Sequence, residues 1–198
     1  MSGRRDGSKE PTGKLLALAS ELQAEGYIFM AMQMSERTGI TERPLGEFSA
    51  DIASRLQSNH LDWQRLTGTP QFDYPIDYSV AVTRVDRAAG QIEFLAQWAS
   101  NAYCHYHRHL GRTASWVIKG EHHLVETTET QTLHKIRRPG FRGQSPAGEI
   151  HMEYGGADGS TVLFLCEAVD GKLFDIVAKD GTILATATLE EFASGRLR

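Results

Sequence analysis

The sequence predicts a mainly β protein, a sandwich or closed antiparallel barrel, carrying a helical extension at its N-terminal end. Two patterns carry this reading. From Phe72 onward, short runs of β-branched and aromatic residues alternate with glycine-bearing turns. Before Leu66, apolar residues recur at helical spacing instead. A chain of 198 residues can bury a substantial core as one domain with an elaborated end. The expected division is a disordered polar tail over residues 1–12, a helical extension over 13–70 and a β domain over 71–198.

In the extension, Leu15, Leu18 and Leu22 form one helical stripe that Gly26 would stop. Ile28, Met30, Met32 and Met34 alternate like a strand face and also suit a buried helix; core filling is their default role. Leu45, Phe48, Ile52 and Leu56 form a second helical stripe. In the β part, strands are expected over Tyr78–Val85, Gln91–Trp98, Ala102–His109, Ala114–Ile118, His122–Glu126, Thr161–Val169, Leu173–Val177 and Thr182–Ala187. Turns are expected at Asp86–Gly90, Lys119-Gly120, Pro139-Gly140, Gly155–Gly159, Asp170-Gly171 and Asp180-Gly181. A short helix over Leu189–Arg198 would close the chain.

Composition excludes several classes. A net charge of -4, with no basic recognition helix, argues against a nucleic-acid binder. No apolar run reaches the length of a membrane span, and no signal-peptide core is visible, so the cytoplasm is the expected compartment. Two cysteines, Cys104 and Cys166, do not make a disulfide framework.

The chemistry concentrates in the histidines. Tyr103, His105, His107 and His109 share one face of the expected strand. Positions i and i+4 lie roughly 13 Å apart on a strand, so one adjacent pair can ligate a metal, either His105 with His107 or His107 with His109. His151, in the run Pro146-Ala147-Gly148-Glu149-Ile150-His151, offers a third imidazole. Imidazole suits iron, zinc, copper and nickel. His122 and His123 are adjacent and point to opposite faces, so they cannot share one metal, though one of them can face inward behind a ligand. His60 and His134 have no motif around them. Cys104 should point away from the ligand face by alternation.

These runs resemble the cupin superfamily, whose two motifs read G(x)5HxH(x)3–4E(x)6G and G(x)5PxG(x)2H(x)3N. His107, His109, Thr113 and Gly120 reproduce the first spacing; Gly140, Pro146, Gly148 and His151 reproduce the second. The pair His105 and His107 would miss Gly120 by two residues, which favours His107 and His109. The chain departs from the pattern in three places: Asn101 and Gly155 replace the first glycine and the last asparagine, and Thr113 stands where the acidic ligand usually sits. The resemblance implies a cupin barrel, a jelly roll of antiparallel strands, over about Tyr78–Ala187. It implies metal ligands His107, His109 and His151, and a site left positively charged by the missing acid.

The His107–Gly111 run and the Pro146–His151 run resemble the three-histidine cupin dioxygenases that cleave carbon–carbon bonds, such as acetylacetone-cleaving and 2,4'-dihydroxyacetophenone dioxygenases. The implied metal is Fe(II), with Zn, Ni, Cu or Mn as alternatives. The implied partners are a small enolisable ketone and O2, in a homodimer or higher homo-oligomer. Two other readings stand beside this one: a lyase, isomerase or hydrolase using the metal only as a Lewis acid, and a non-catalytic cupin that senses a small molecule.

Around that site, Trp98, Tyr103, Trp116, Phe141 and Phe164 are candidates for a pocket wall, with ordinary barrel core as the alternative. Arg112 and Arg142 flank the motifs and could hold a substrate carboxylate or enolate, with solvated loop arginines as the alternative. Glu149 and Glu153 share the His151 face and could orient an imidazole or act as a base; Tyr154 could donate to bound oxygen.

Overall fold

A computed structural model describes residues 45–57, 61–70, 72, 74–127, 131–178 and 180–196. The stripe at Leu15–Leu22, the Ile28–Met34 alternation and the 1–12 tail lie outside the described residues. The described chain holds a short helix, α1 (Ile52–Gln57), then ten strands. These are β1 (Gln64–Thr67), β2 (Asp77–Asp86), β3 (Gln91–Trp98), β4 (His107–His109), β5 (Thr113–Thr127), β6 (Thr132–Arg137), β7 (Arg142–Ser145), β8 (Ile150–Glu167), β9 (Lys172–Val177) and β10 (Ile183–Thr188). A terminal helix, α2 (Leu189–Ala193), follows and is shorter than the expected Leu189–Arg198.

The strands form one curled antiparallel sheet. Two long strands, β5 and β8, pair with each other along their lengths and run through both walls. In one wall the order is β1-β2-β3, then the Ser160–Glu167 half of β8, the Thr113–Gly120 half of β5, and β7. In the other it is β10-β9-β4, then the start of β8, the His122–Thr127 half of β5, and β6.

The passage between walls is where local reading and structure part. Lys119-Gly120 and Gly155–Gly159 read as turns, yet both lie inside continuous strands. Gly120 has φ +72, and a Cβ there would meet Gly159 O at 2.1 Å. Gly159 has φ +71, and its Cβ would meet Trp98 O at 2.4 Å. These glycines let two backbones cross closely where the sheet bends. The bend also slips the register between Val117 and Lys119 and between Gly120 and His122. Inward residues on β5 are therefore Ser115 and Val117 before the slip, then His122 and Leu124 after it.

Three further expectations are corrected. Gln64–Thr67, read as part of the helical extension, is a strand paired with β2. The strand expected over Ala102–His109 is only His107–His109, because Cys104 and Tyr103 instead bond to Glu153 and Pro75 as a loop. β6 and β7, unread in the sequence, pair with the two halves of β5 on either side of the Pro139-Gly140 turn.

The main core lies between the walls and includes Ile92, Phe94, Val162, Phe164, Phe174 and Phe192. Ile52 of α1 instead packs with Leu95 and Leu163 on the outer face of β3 and β8, with Phe48, Leu56, Trp116 and Ile118 around it. Of the expected second helical stripe only Ile52 and Leu56 lie on a helix; Phe48 precedes α1 in irregular backbone and still joins this cluster on the back of the sheet. A capping box of Thr188 and Glu191 starts α2 and swings Leu189 and Phe192 into the mouth of the barrel. Both cysteines are free and buried. Among the described residues, no helix is long and apolar enough to cross a membrane.

Candidate metal centre

His107 and His109 on β4 project into the barrel at i and i+2, and β8 pairs His151 directly opposite His107. All three side chains are buried. His109 Nε2 lies 3.1 Å from His107 Nε2 and 3.1 Å from His151 Nε2. His105 is not in this group; its Nδ1 faces Tyr78 Oη at 3.2 Å.

Each of the three imidazoles is anchored through its other nitrogen. His107 Nδ1 sits 2.7 Å from His105 O, which can only accept. His151 Nδ1 sits 2.9 Å from the Glu149 carboxylate, also an acceptor. Thr113 Oγ1 donates to Cys166 Sγ and so accepts from His109 Nδ1 at 2.6 Å. The protons therefore reside on Nδ1, and three Nε2 lone pairs converge with no hydrogen between them. That arrangement repels itself unless a cation sits at its centre, and anchored Nδ1–H groups are the usual surroundings of metal-bound histidine. Burial, with the neighbouring imidazoles, lowers His107 to about 4 and holds His109 well below its ordinary value. Neutral imidazole is the form that ligates.

Glu153 changes the expected charge. Its carboxylate is buried and reaches 3.8 Å from His151 Nε2 and 3.9 Å from His107 Nε2, while accepting from His122 Nε2 at 3.0 Å. Burial alone would raise its pKa; the His122 hydrogen bond and the nearby imidazoles outweigh that and lower it. The acid missing at Thr113 is thus partly made up: one carboxylate stands beside the three imidazoles, against the two charges of a divalent metal. Thr113 stands behind His109 as its acceptor, and a carboxylate arrives from the second motif's strand instead.

Of the other residues picked from the sequence, Trp98 lines a hollow of about 50 Å³ beside His107, His109 and Glu153, together with Phe164. Its Nε1 is buried without a hydrogen-bond partner among the described residues. The rest are elsewhere. Arg112 pairs with Glu167 at 2.9 Å. Arg142 lies over Trp116 at 4.0 Å, and Trp116 belongs to the outer-face cluster. Phe141 is exposed, beneath Arg137. Tyr154 and Tyr103 pack together at 5.1 Å between centroids, with the Tyr154 hydroxyl 3.1 Å from His134 Nε2 on the face opposite Glu153. Cys104, expected to turn away, lines the hollow because the strand starts only at His107.

The sequence reading missed Tyr78, Val80, Phe94, Phe174, Ile176 and Phe192 as hollow walls. Tyr78 and Val80 alternate on β2 and Phe174 and Ile176 on β9, a period-2 signal that was present but did not say which face looked inward.

No family model matches the chain, and no curated protein matches it in sequence. Solved structures match in fold. A protein described as a putative acetylacetone dioxygenase, from Methylibium petroleiphilum PM1, superposes with TM-score 0.54 at 16% identity, over 79% of this chain and 98% of its own. An acetylacetone dioxygenase from Acinetobacter johnsonii gives TM-score 0.52 at 12% identity, over 80% and 93%. An RmlC-like cupin protein from Ralstonia eutropha JMP134 gives 0.51 at 13%, over 77% and 84%. With the curled antiparallel barrel and three buried histidines grouped inside it, this chain has the cupin fold and a site able to bind a metal.

Proposed function

We propose that this protein is a non-haem Fe(II)-dependent dioxygenase that cleaves a carbon–carbon bond in a β-diketone, hydroxyketone or similar enolisable ketone, with O2 as co-substrate. The observation that carries the reading is the convergence of His107, His109 and His151 through three Nε2 atoms, each imidazole anchored behind. The fold likeness to two acetylacetone dioxygenases supports it.

When bound, the metal supplies Lewis acidity that lowers the pKa of a chelating ketone and an electron source for oxygen. The chain supplies the rest. Glu153 is a buried carboxylate close enough to the Nε2 atoms of His107 and His151 to take a proton from the carbon between two carbonyls. The His122 Nε2–H donor holds it in place. Trp98 Nε1–H, without a partner among the described residues, can donate to a substrate oxygen. Phe94, Phe164 and Phe174 wall the hollow and keep water from the carbanionic substrate.

Glu153 also favours a second reading, a lyase or isomerase that moves protons at a chelated ketone without oxygen. One experiment separates them. The protein is loaded anaerobically with Fe(II), and oxygen uptake is followed with pentane-2,4-dione and larger diketones. Stoichiometric uptake with loss of the diketone supports the dioxygenase. Diketone consumption without uptake overturns it in favour of the second reading.

A further inference from the structure

We infer that a chamber of about 480 Å³ at the mouth of the barrel is the binding site for an apolar tail on the substrate, so that the preferred ketones carry an alkyl or aryl substituent rather than being small diketones. This rests on the functional reading above. The chamber shares Tyr78, His105, Phe174, Ile176 and Phe192 with the small hollow beside the histidines. The two spaces therefore lie on either side of the same five side chains. The inner one has room for little more than a chelating head; the outer one has the size of an ordinary small-molecule pocket.

Both spaces have largely apolar walls, and only the inner hollow is lined by His107, His109 and Glu153. The outer chamber is walled chiefly by apolar side chains from four elements: Leu66 of β1, Ile176 of β9, Leu184 of β10 and Phe192 of α2. Its outer rim includes Ala185 and Arg196, both exposed, so it is reached from solvent. At the partition, His105 packs edge-on against Phe72 at 4.9 Å and bonds to Tyr78 at 3.2 Å. A ligand filling both spaces passes this pair, with its head toward the three Nε2 atoms and its tail outward.

Apolar transfer sets the expected response. Each methylene moved from water into the chamber should tighten binding about three- to fourfold until the space is full. The probe is a series of straight-chain methyl ketones, from butan-2-one to nonan-2-one, titrated calorimetrically into the metal-free full-length protein. These ketones do not chelate, so they report the chamber and not the metal centre. The expected result is affinity that climbs with chain length. Leu184→Trp, which fills the chamber from its half-buried rim, should abolish the climb, and Leu184→Ala should extend it to longer chains, both variants keeping one bound metal per chain. Affinity that is flat along the series, or a climb unaltered in Leu184→Trp, overturns the inference. A climb in the metal-free protein beside an iron-loaded protein that consumes no diketone of any length sinks the reaction and leaves the chamber standing.

Discussion

Glu153 on β8 accepts a hydrogen bond from His122 on β5 at 3.0 Å, and this contact holds its carboxylate on the side that also faces His107 and His151. His122 is fully buried and Glu153 nearly so; the bond satisfies His122 Nε2, while His122 Nδ1 has no hydrogen-bond partner among the described residues. Glu153→Gln keeps an acceptor for His122 while removing the base. The expected outcome is an intact fold with turnover reduced about 10²–10⁴-fold, the usual worth of a general base. Steady-state kinetics beside a thermal melt would check it, and unchanged turnover would remove Glu153 from the chemistry.

The histidines make a sharper comparison. Alanine at His107, His109 or His151 should each empty the site, whereas His105→Ala should retain the metal, since its ring faces Tyr78. Elemental analysis of the four variants after dialysis is the measurement. Metal loss in His105→Ala equal to that in His109→Ala would contradict the geometry.

Thr113 acts through His109. Thr113→Val keeps the shape and deletes the acceptor 2.6 Å from His109 Nδ1. Metal affinity should fall about 10–100-fold, the common cost of losing an anchoring partner behind a ligand. Competition with a chelator of known affinity gives the number, and an unshifted affinity would show that the hydroxyl does not orient the ring.

Gly120 tests the fold. An alanine there would need a left-handed backbone and would place Cβ 2.1 Å from Gly159 O. The strain in conformation alone costs about 1–2 kcal/mol, and the backbone clash adds to it. Urea denaturation of Gly120→Ala should show a loss of at least about 2 kcal/mol. Pro139-Gly140 supplies the contrast, because a Cβ at Gly140 would have nothing within 4 Å among the described residues and would meet only the strain of its φ of +91.

Burial sets a pH dependence for the metal-free protein. It lowers His105 and His107 to about 4 in the folded state, against an ordinary value near 6.5 in the unfolded chain. Between these values the unfolded chain binds more protons, so stability is full above about 6.5 and is lost as pH falls toward about 4. Melting temperatures of the metal-free protein at pH 7.5 and 5 should differ more in the wild type than in His105→Gln. An equal difference would mean that His105 is not held neutral.

How much of this was legible in the sequence depends on which residues are asked. β2, β3 and β9 follow period-2 runs bounded by glycine turns, and their bounds lie close to those read locally. β6 and β7 were not legible, because Thr132–Arg137 and Arg142–Ser145 are polar and half-exposed and carry no apolar alternation. His107, His109 and His151 stand out by spacing, and strand pairing then sets His107 opposite His151. Arg112 and Arg142 flank the motifs and left a substrate-binding and a solvated-loop reading open; their partners, Glu167 and Trp116, are cross-strand neighbours that no local pattern names.

The sequence by itself determined the succession of strands and turns, the apolar stripe of α1, and three imidazoles at spacings that a β framework can bring together. Only the tertiary structure decided which face each residue takes past the bend. Alternation carries a side chain's direction along a strand only while the register holds, and it slips on both sides of Gly120. That slip turns His122 inward to meet Glu153, and strand pairing leaves Tyr154 outside against His134. The acid of the site therefore comes from a strand pairing, between Leu124 and Glu153 as neighbours on β5 and β8, and not from the position where the spacing of the first motif would place it.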